Sequence, residues 1–228
     1  GPWDRREEAS MSERVTISAP TGELTAVLAT PDGSSRGPGV VLIHEYWGVN
    51  EQIESVAARL AKEGFVALVP DLYHGKLTTK ADEATKLMGS LDWGKAVGEI
   101  GASVAFLRAH PRGNGKVAVM GYCMGGALSL AAACHIPGLD AVVPFYGIPG
   151  GQDYSKITAP VQAHFAEHDE WATVDAGKNI EAQVKGMKLF TYDAHHAFCN
   201  DRRPEVFNPT AAAQAWDRAI AFMRQHAA

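Results

Sequence analysis

The sequence predicts an α/β fold, a mostly parallel central sheet with helices on both faces, and three observations lead there. Short runs such as "GVVLIH" (39–44), "FVALVP" (65–70) and "KVAVMG" (116–121) are apolar without alternation, the pattern of strands buried on both sides. Segments of helical length and period stand between them. The chain has 228 residues, 46% of them hydrophobic, enough for one sizeable core.

The elements follow in order. "RVTIS" and "LTAVLA" read as an antiparallel pair around "APTGE", and "GVVLIH" as the first fully apolar strand. "EQIESVAARLAKEG" (51–64) is an amphipathic helix stopped by Gly64, and "FVALVP" is the strand that follows it. From Asp82 to His110 the pattern is one or two helices, broken near "GSLDWG". "KVAVMG", "AVVPFYG", "APVQAHFAEHD" and "MKLFTYD" each carry a further strand. "TVDAGKNIEAQVKG", with Thr173 as its cap, and the stretch from Pro209 to His226 supply the last helices. Without repeats or long linkers, residues 11–228 read as one domain, and "GPWDRREEAS" (1–10) as a tag remnant or linker.

Composition narrows the function. The 21 Lys and Arg against 26 Asp and Glu give a net charge of −5 with no basic block, which argues against a nucleic-acid or anionic-membrane surface. Three cysteines (Cys123, Cys134, Cys199) lack CxxC or metal-type spacing, so a reduced, cytoplasmic setting is expected rather than a disulfide framework. No run reaches the roughly 18 apolar residues of a membrane span. His44, His74, His110, His135, His164 and His168 are too scattered to suggest a metal cluster.

The chemistry concentrates in "GYCMGG" (121–126), where an apolar strand passes through glycines into an Ala- and Leu-rich helix. Gly121, Cys123 and Gly125 fit the nucleophile-elbow pattern G-x-S-x-G with cysteine in place of serine. The helix N-terminus there favours a thiolate. A core cysteine in an ordinary strand–turn–helix is the competing reading of this stretch alone. Two downstream features decide against it. Asp169 follows the strand "APVQAHF", and His195 and His196 follow "MKLFTYD", giving nucleophile, acid and histidine in the order of an α/β-hydrolase. Spacing by itself does not choose between the two histidines.

These stretches resemble the dienelactone hydrolase family from about Val15 to the C-terminal helix. "HEYWGVN" is similar to the family's glutamate-bearing loop, "GYCMGGAL" to its elbow and "AHHAFCNDRRPE" to its histidine loop. The resemblance implies an α/β-hydrolase fold with Cys123 as nucleophile, Asp169 as acid and, through a His-x-Phe pattern, His196 as base. It implies an oxyanion hole of the Met124 and Tyr46 amides and a thiol-controlling role for Glu45. Trp47, Lys76, Trp93, Tyr146, Phe198 and Asn200 are expected near the substrate, Cys134 in the core, and Cys199 as a packing or semi-exposed thiol.

Two departures bear on the substrate. Family members acting on dienelactone grip its carboxylate with two arginines, and Gly75 (with Lys76 beside it) and Asn200 stand at those positions, Arg202 and Arg203 being offset. A lysine offers a point charge and an asparagine none, so forked carboxylate recognition is not expected. The expectation is a cofactor-free hydrolase of carboxylic esters or lactones, a monomer or weak dimer whose partner is a small molecule. A phosphotriester hydrolase, a non-catalytic binding protein and a thiol redox sensor are the alternatives.

Overall fold

A chain with this patterning forms strands wherever apolar residues run together, and the computed structural model, which describes residues 12–228, has eight among them. The segment read as a tag remnant or linker lies outside the described residues. Two compact units are present, with the boundary inside one strand, between Val117 and Ala118.

In the first unit, β1 (Ser12–Ala19) and β2 (Gly22–Ala29) form the expected antiparallel hairpin, in register from Ser12↔Ala29 to Ala19↔Gly22. β3 (Gly37–Ile43) pairs in parallel with β4 (Val66–Pro70), and β4 pairs antiparallel with β2. Strand order in this unit is β1-β2-β4-β3. Helix α1 (Glu51–Lys62) provides the β3–β4 crossover. The Asn50 side chain caps it by accepting the Ile53 amide at 3.1 Å, and Gly64, at φ 96°, follows its end. The break at "GSLDWG" is real: α2 (Ala81–Gly89) stops, and Asp92 caps α3 (Trp93–Ala109) by accepting the Lys95 amide at 3.1 Å.

Beyond Val117, β5 (Gly113–Tyr122) carries the chain into the second unit, where β5, β6 (Ala141–Phe145), β7 (Val161–His168) and β8 (Met187–His195) are parallel neighbours in that order. Helix α4 (Met124–His135) follows β5 and packs on β6. All its residues but His135 are buried, which explains why its sequence shows no polar face. Leu128 and Leu130 are fully enclosed, each worth about 1.5–3 kcal/mol in burial. Thr173 caps α5 (Val174–Gln183) by accepting the Ala176 amide at 3.2 Å, as expected, and α6 (Pro209–Ala227) packs against β6, β7 and β8.

One boundary differs from the sequence reading. His195 is the last residue of β8 and not part of the loop, because a register shift between Ala166 and His168 lets His168 pair with His195. The turn carrying His196 begins one residue later.

Candidate active site

The second unit holds the elbow. Cys123 links β5 to α4 at φ 60°, ψ −118°, a conformation unusual for any residue but glycine, whose cost is about 1–3 kcal/mol. Its backbone is fixed on both sides: the Cys123 amide donates to Phe145 O at 3.0 Å, and the Cys123 carbonyl accepts the Ala127 amide at 3.1 Å. The tight strand–helix approach explains a flanking glycine, since a Cβ on Gly121 would overlap the Gly125 carbonyl. Backbone cannot yield as a flexible side chain does. Gly121→Ala is therefore expected to lower stability by about 1–3 kcal/mol, the usual cost of overpacking, read as a lower denaturant midpoint. An unchanged midpoint would mean that the elbow can open without loss.

Three side chains converge here. His196 Nε2 lies 3.1 Å from Cys123 Sγ, and Nδ1–H donates to Asp169 Oδ2 at 2.6 Å. The other carboxylate oxygen, Oδ1, accepts the backbone amides of Trp171 at 2.9 Å and Ala172 at 3.1 Å. Both oxygens of the buried Asp169 are thus engaged, and the imidazole cannot rotate without breaking a charge-assisted bond. Its far side rests on aromatic rings. Tyr146 meets His196 edge-on at 5.1 Å, and Phe198 lies behind at 5.3 Å from Tyr146.

Burial alone would push the His196 pKa down. The hydrogen bonds from Asp169 and Cys123, with the attraction of their negative charges, outweigh it and raise the value to about 10. With Nδ1 on a carboxylate and Nε2 on a sulfur, both ring nitrogens of the protonated imidazole are engaged.

The remaining sequence-predicted residues fall as follows. Tyr146 and Phe198 are buried, at 1% and 0% exposure, so they support the imidazole from beneath. Asn200 is buried and its Oδ1 accepts the Arg202 amide at 3.0 Å, a backbone-capping role within the histidine loop. Met124, almost fully buried, opens α4 directly after Cys123. His195 faces outward, in step with the exposed Thr191 and Asp193 along β8. Cys134 is buried and desolvation raises its thiol pKa, whereas Cys199 is partly exposed.

In the first unit, Glu45 is buried on the loop after β3, where its carbonyl accepts the Gly48 amide at 3.2 Å and His44 Nδ1–H at 2.7 Å. Tyr46 and Trp47 stack edge-on at 4.6 Å, and the Trp47 carbonyl accepts the Thr78 amide. Lys76 lines a cleft of about 260 Å³ with Tyr73, His74, Leu91 and Glu99, and Trp93 is half-buried at the start of α3.

Sequence reasoning missed three features. Trp171 stands edge-on to His196 at 5.3 Å, signalled only by its place two residues after Asp169. His164 is buried within the sheet, bonded to Tyr192 Oη and Gln162 Oε1 at 2.8 Å each, and burial drives its pKa down to about 3. Glu167, His168 and Asp193 bring their ligand atoms within 4.8 Å of one another on the surface, through the β7–β8 pairing, which linear spacing conceals.

A nucleophile elbow on a mostly parallel sheet, followed by an acid and a histidine on later strand ends, defines the α/β-hydrolase class. The chain belongs to the dienelactone hydrolase family, whose pattern matches residues 24–227. It is 35% identical to Protein usf of Aquifex pyrophilus, over 95% of this chain and 99% of that protein. It is 29% identical to a carboxymethylenebutenolidase of a Pseudomonas species, covering 94% of this chain and 96% of the relative. Among solved structures, a dienelactone hydrolase-like promiscuous phosphotriesterase from metagenomic libraries superposes with a TM-score of 0.83 at 23% identity, over 94% of this chain and 98% of that one. An esterase from Pyrococcus furiosus gives 0.73 at 16%, over 100% and 98%. Among the described residues no helix is long and apolar enough to cross a membrane.

Proposed function

We propose that the protein hydrolyses carboxylic esters or lactones through a thioester on Cys123, with Asp169 and His196 completing the catalytic set. The observation that carries this reading is the relay Sγ to Nε2 at 3.1 Å and Nδ1 to Oδ2 at 2.6 Å. In the first half-reaction the thiolate forms a bond to the acyl carbon and the carbonyl π pair moves onto oxygen. The Met124 amide, at the positive end of α4, receives that oxyanion, and the resemblance supplies the Tyr46 amide as second donor and Glu45 as the group governing the thiol. Collapse of the tetrahedral adduct expels the alkoxide, and His196 Nε2–H protonates it.

The second half-reaction follows from the same electrostatics. Once sulfur is acylated it carries no negative charge, so both contributions of Cys123 to the high His196 pKa disappear. The imidazole becomes neutral and takes a proton from water, whose oxygen then attacks the thioester. The acid leaves and the thiolate returns. Asp169 keeps Nδ1 protonated throughout, so that Nε2 always faces the reacting atoms.

The substrate reading is a neutral ester or lactone, since Gly75 and Asn200 stand where a carboxylate clamp would need arginine, and the Asn200 Oδ1 accepts a backbone amide. A kinetic panel tests it. Neutral aryl and alkyl esters are expected to show kcat/KM at least equal to that of carboxylate-bearing lactones, with an acyl adduct visible by intact mass. A clear preference for the anionic lactone would assign the clamp to Lys76, Arg202 or Arg203. Faster turnover of activated phosphotriesters than of every carboxylic ester would transfer the reading to phosphoryl chemistry.

A further inference from the structure

Two large hydrophobic side chains stand well exposed among the described residues, Leu77 at 57% and Trp171 at 77%. A single exposed hydrophobe means little by itself. Trp171 differs because its place is set by the reacting groups: its backbone amide is bonded to Asp169 Oδ1 at 2.9 Å, and its indole stands edge-on to His196 at 5.3 Å. The imidazole is therefore flanked by two aromatic rings, Tyr146 buried and Trp171 turned to solvent.

We propose that Trp171 is the specificity-determining residue of this site, an apolar wall against which a flat, neutral aryl leaving group packs. The inference rests on the ester-hydrolase reading above and adds the part of the substrate that the triad does not touch. An indole offers a large rigid face with only two side-chain torsions to freeze, and it gains from stacked or edge-on contact with another ring. His196 Nε2 faces the sulfur at 3.1 Å, so the leaving-group oxygen must come close to the imidazole to receive its proton. On this proposal a ring attached to that oxygen packs against the indole, whose centroid lies 5.3 Å from that of the imidazole. Within eight residues of Trp171 in the chain stand the exposed carboxylates of Glu167, Glu170 and Asp175 against one exposed cation, Lys178, a local charge that disfavours an anionic group.

The backbone amides that hold Asp169 belong to the main chain and survive side-chain substitution, so ring and triad can be tested apart. Phenyl acetate and ethyl acetate would be assayed with wild type, Trp171→Ala and Trp171→Phe. In Trp171→Ala, KM for phenyl acetate should rise roughly tenfold, with kcat and the ethyl acetate constants within about twofold. Trp171→Phe should keep most of the phenyl preference, and the pH profile of kcat/KM should be the same in all three. Equal loss on both esters, or a displaced pH profile, would make Trp171 a support for Asp169 and overturn the proposal. So would an unchanged phenyl-to-ethyl ratio. Cys123→Ala serves as the control. If it remains active, the thioester chemistry fails. If it is inactive while Trp171→Ala keeps the wild-type ratio, only the Trp171 inference falls.

Discussion

Cys123→Ala is expected to abolish ester turnover, with a loss of at least about three orders of magnitude in kcat, while Cys134→Ala and Cys199→Ala keep most of theirs. The three thiols differ in surroundings more than in exposure. Cys134 is buried in α4 and desolvation raises its pKa, so little thiolate forms at neutral pH. Cys199 is partly exposed in the histidine loop and, unlike Cys123, does not directly precede a helix. Only Cys123 combines that terminus with an imidazole at 3.1 Å. Alanine at residue 123 keeps a Cβ and the same φ of 60°, so the fold should be retained, as circular dichroism would show. Lost activity would then report chemistry. Intact mass after mixing with an activated ester should show one acyl group on wild type and none on Cys123→Ala. Comparable losses in all three variants would remove the assignment.

The parts of this site legible in the sequence are those set by local geometry. An apolar strand running into G-x-C-x-G and an Ala-rich helix can hardly fold except as a sharp turn, because only small residues let β5 and α4 approach. Asp169 and His196 were legible through chain order and through the rule that function follows strand ends. The choice of His196 over His195 comes from a family resemblance, since spacing alone leaves both open. Tyr192 and Ala194 are buried while Thr191, Asp193 and His195 are exposed, so the strand ends with His195 outward and the chain turns at His196. What stayed hidden depends on pairing across strands. The register shift before His168 and the packing of His164 beneath Phe145 and Phe190 join residues with no linear signature. Asn200 adds a role that residue type alone does not show: its Oδ1 accepts the Arg202 amide and caps a turn.

His196→Ala should lower kcat/KM by roughly two to four orders of magnitude, the usual worth of positioned acid–base catalysis, while His195→Ala changes it much less. His196 is only slightly exposed and bonded at both nitrogens, whereas His195 lies on the outward face of β8. The pH dependence follows from the raised pKa. In the unfolded chain the imidazole titrates near its ordinary 6.5, and in the folded protein near 10. A group raised on folding adds stability that is complete below about pH 6.5 and is lost as pH rises through about 10. Wild type should therefore lose stability between these limits faster than His196→Ala, measured by urea midpoints across the range. Cys123→Ala gives an independent handle, because it removes the hydrogen bond and the charge that Cys123 contributes and leaves those of Asp169. The imidazole pKa, followed by proton NMR, should be lower in that variant than in wild type. An imidazole that titrates at the same pH in both proteins would mean that no thiolate is paired with it at rest, and that His196 takes the thiol proton only as sulfur attacks.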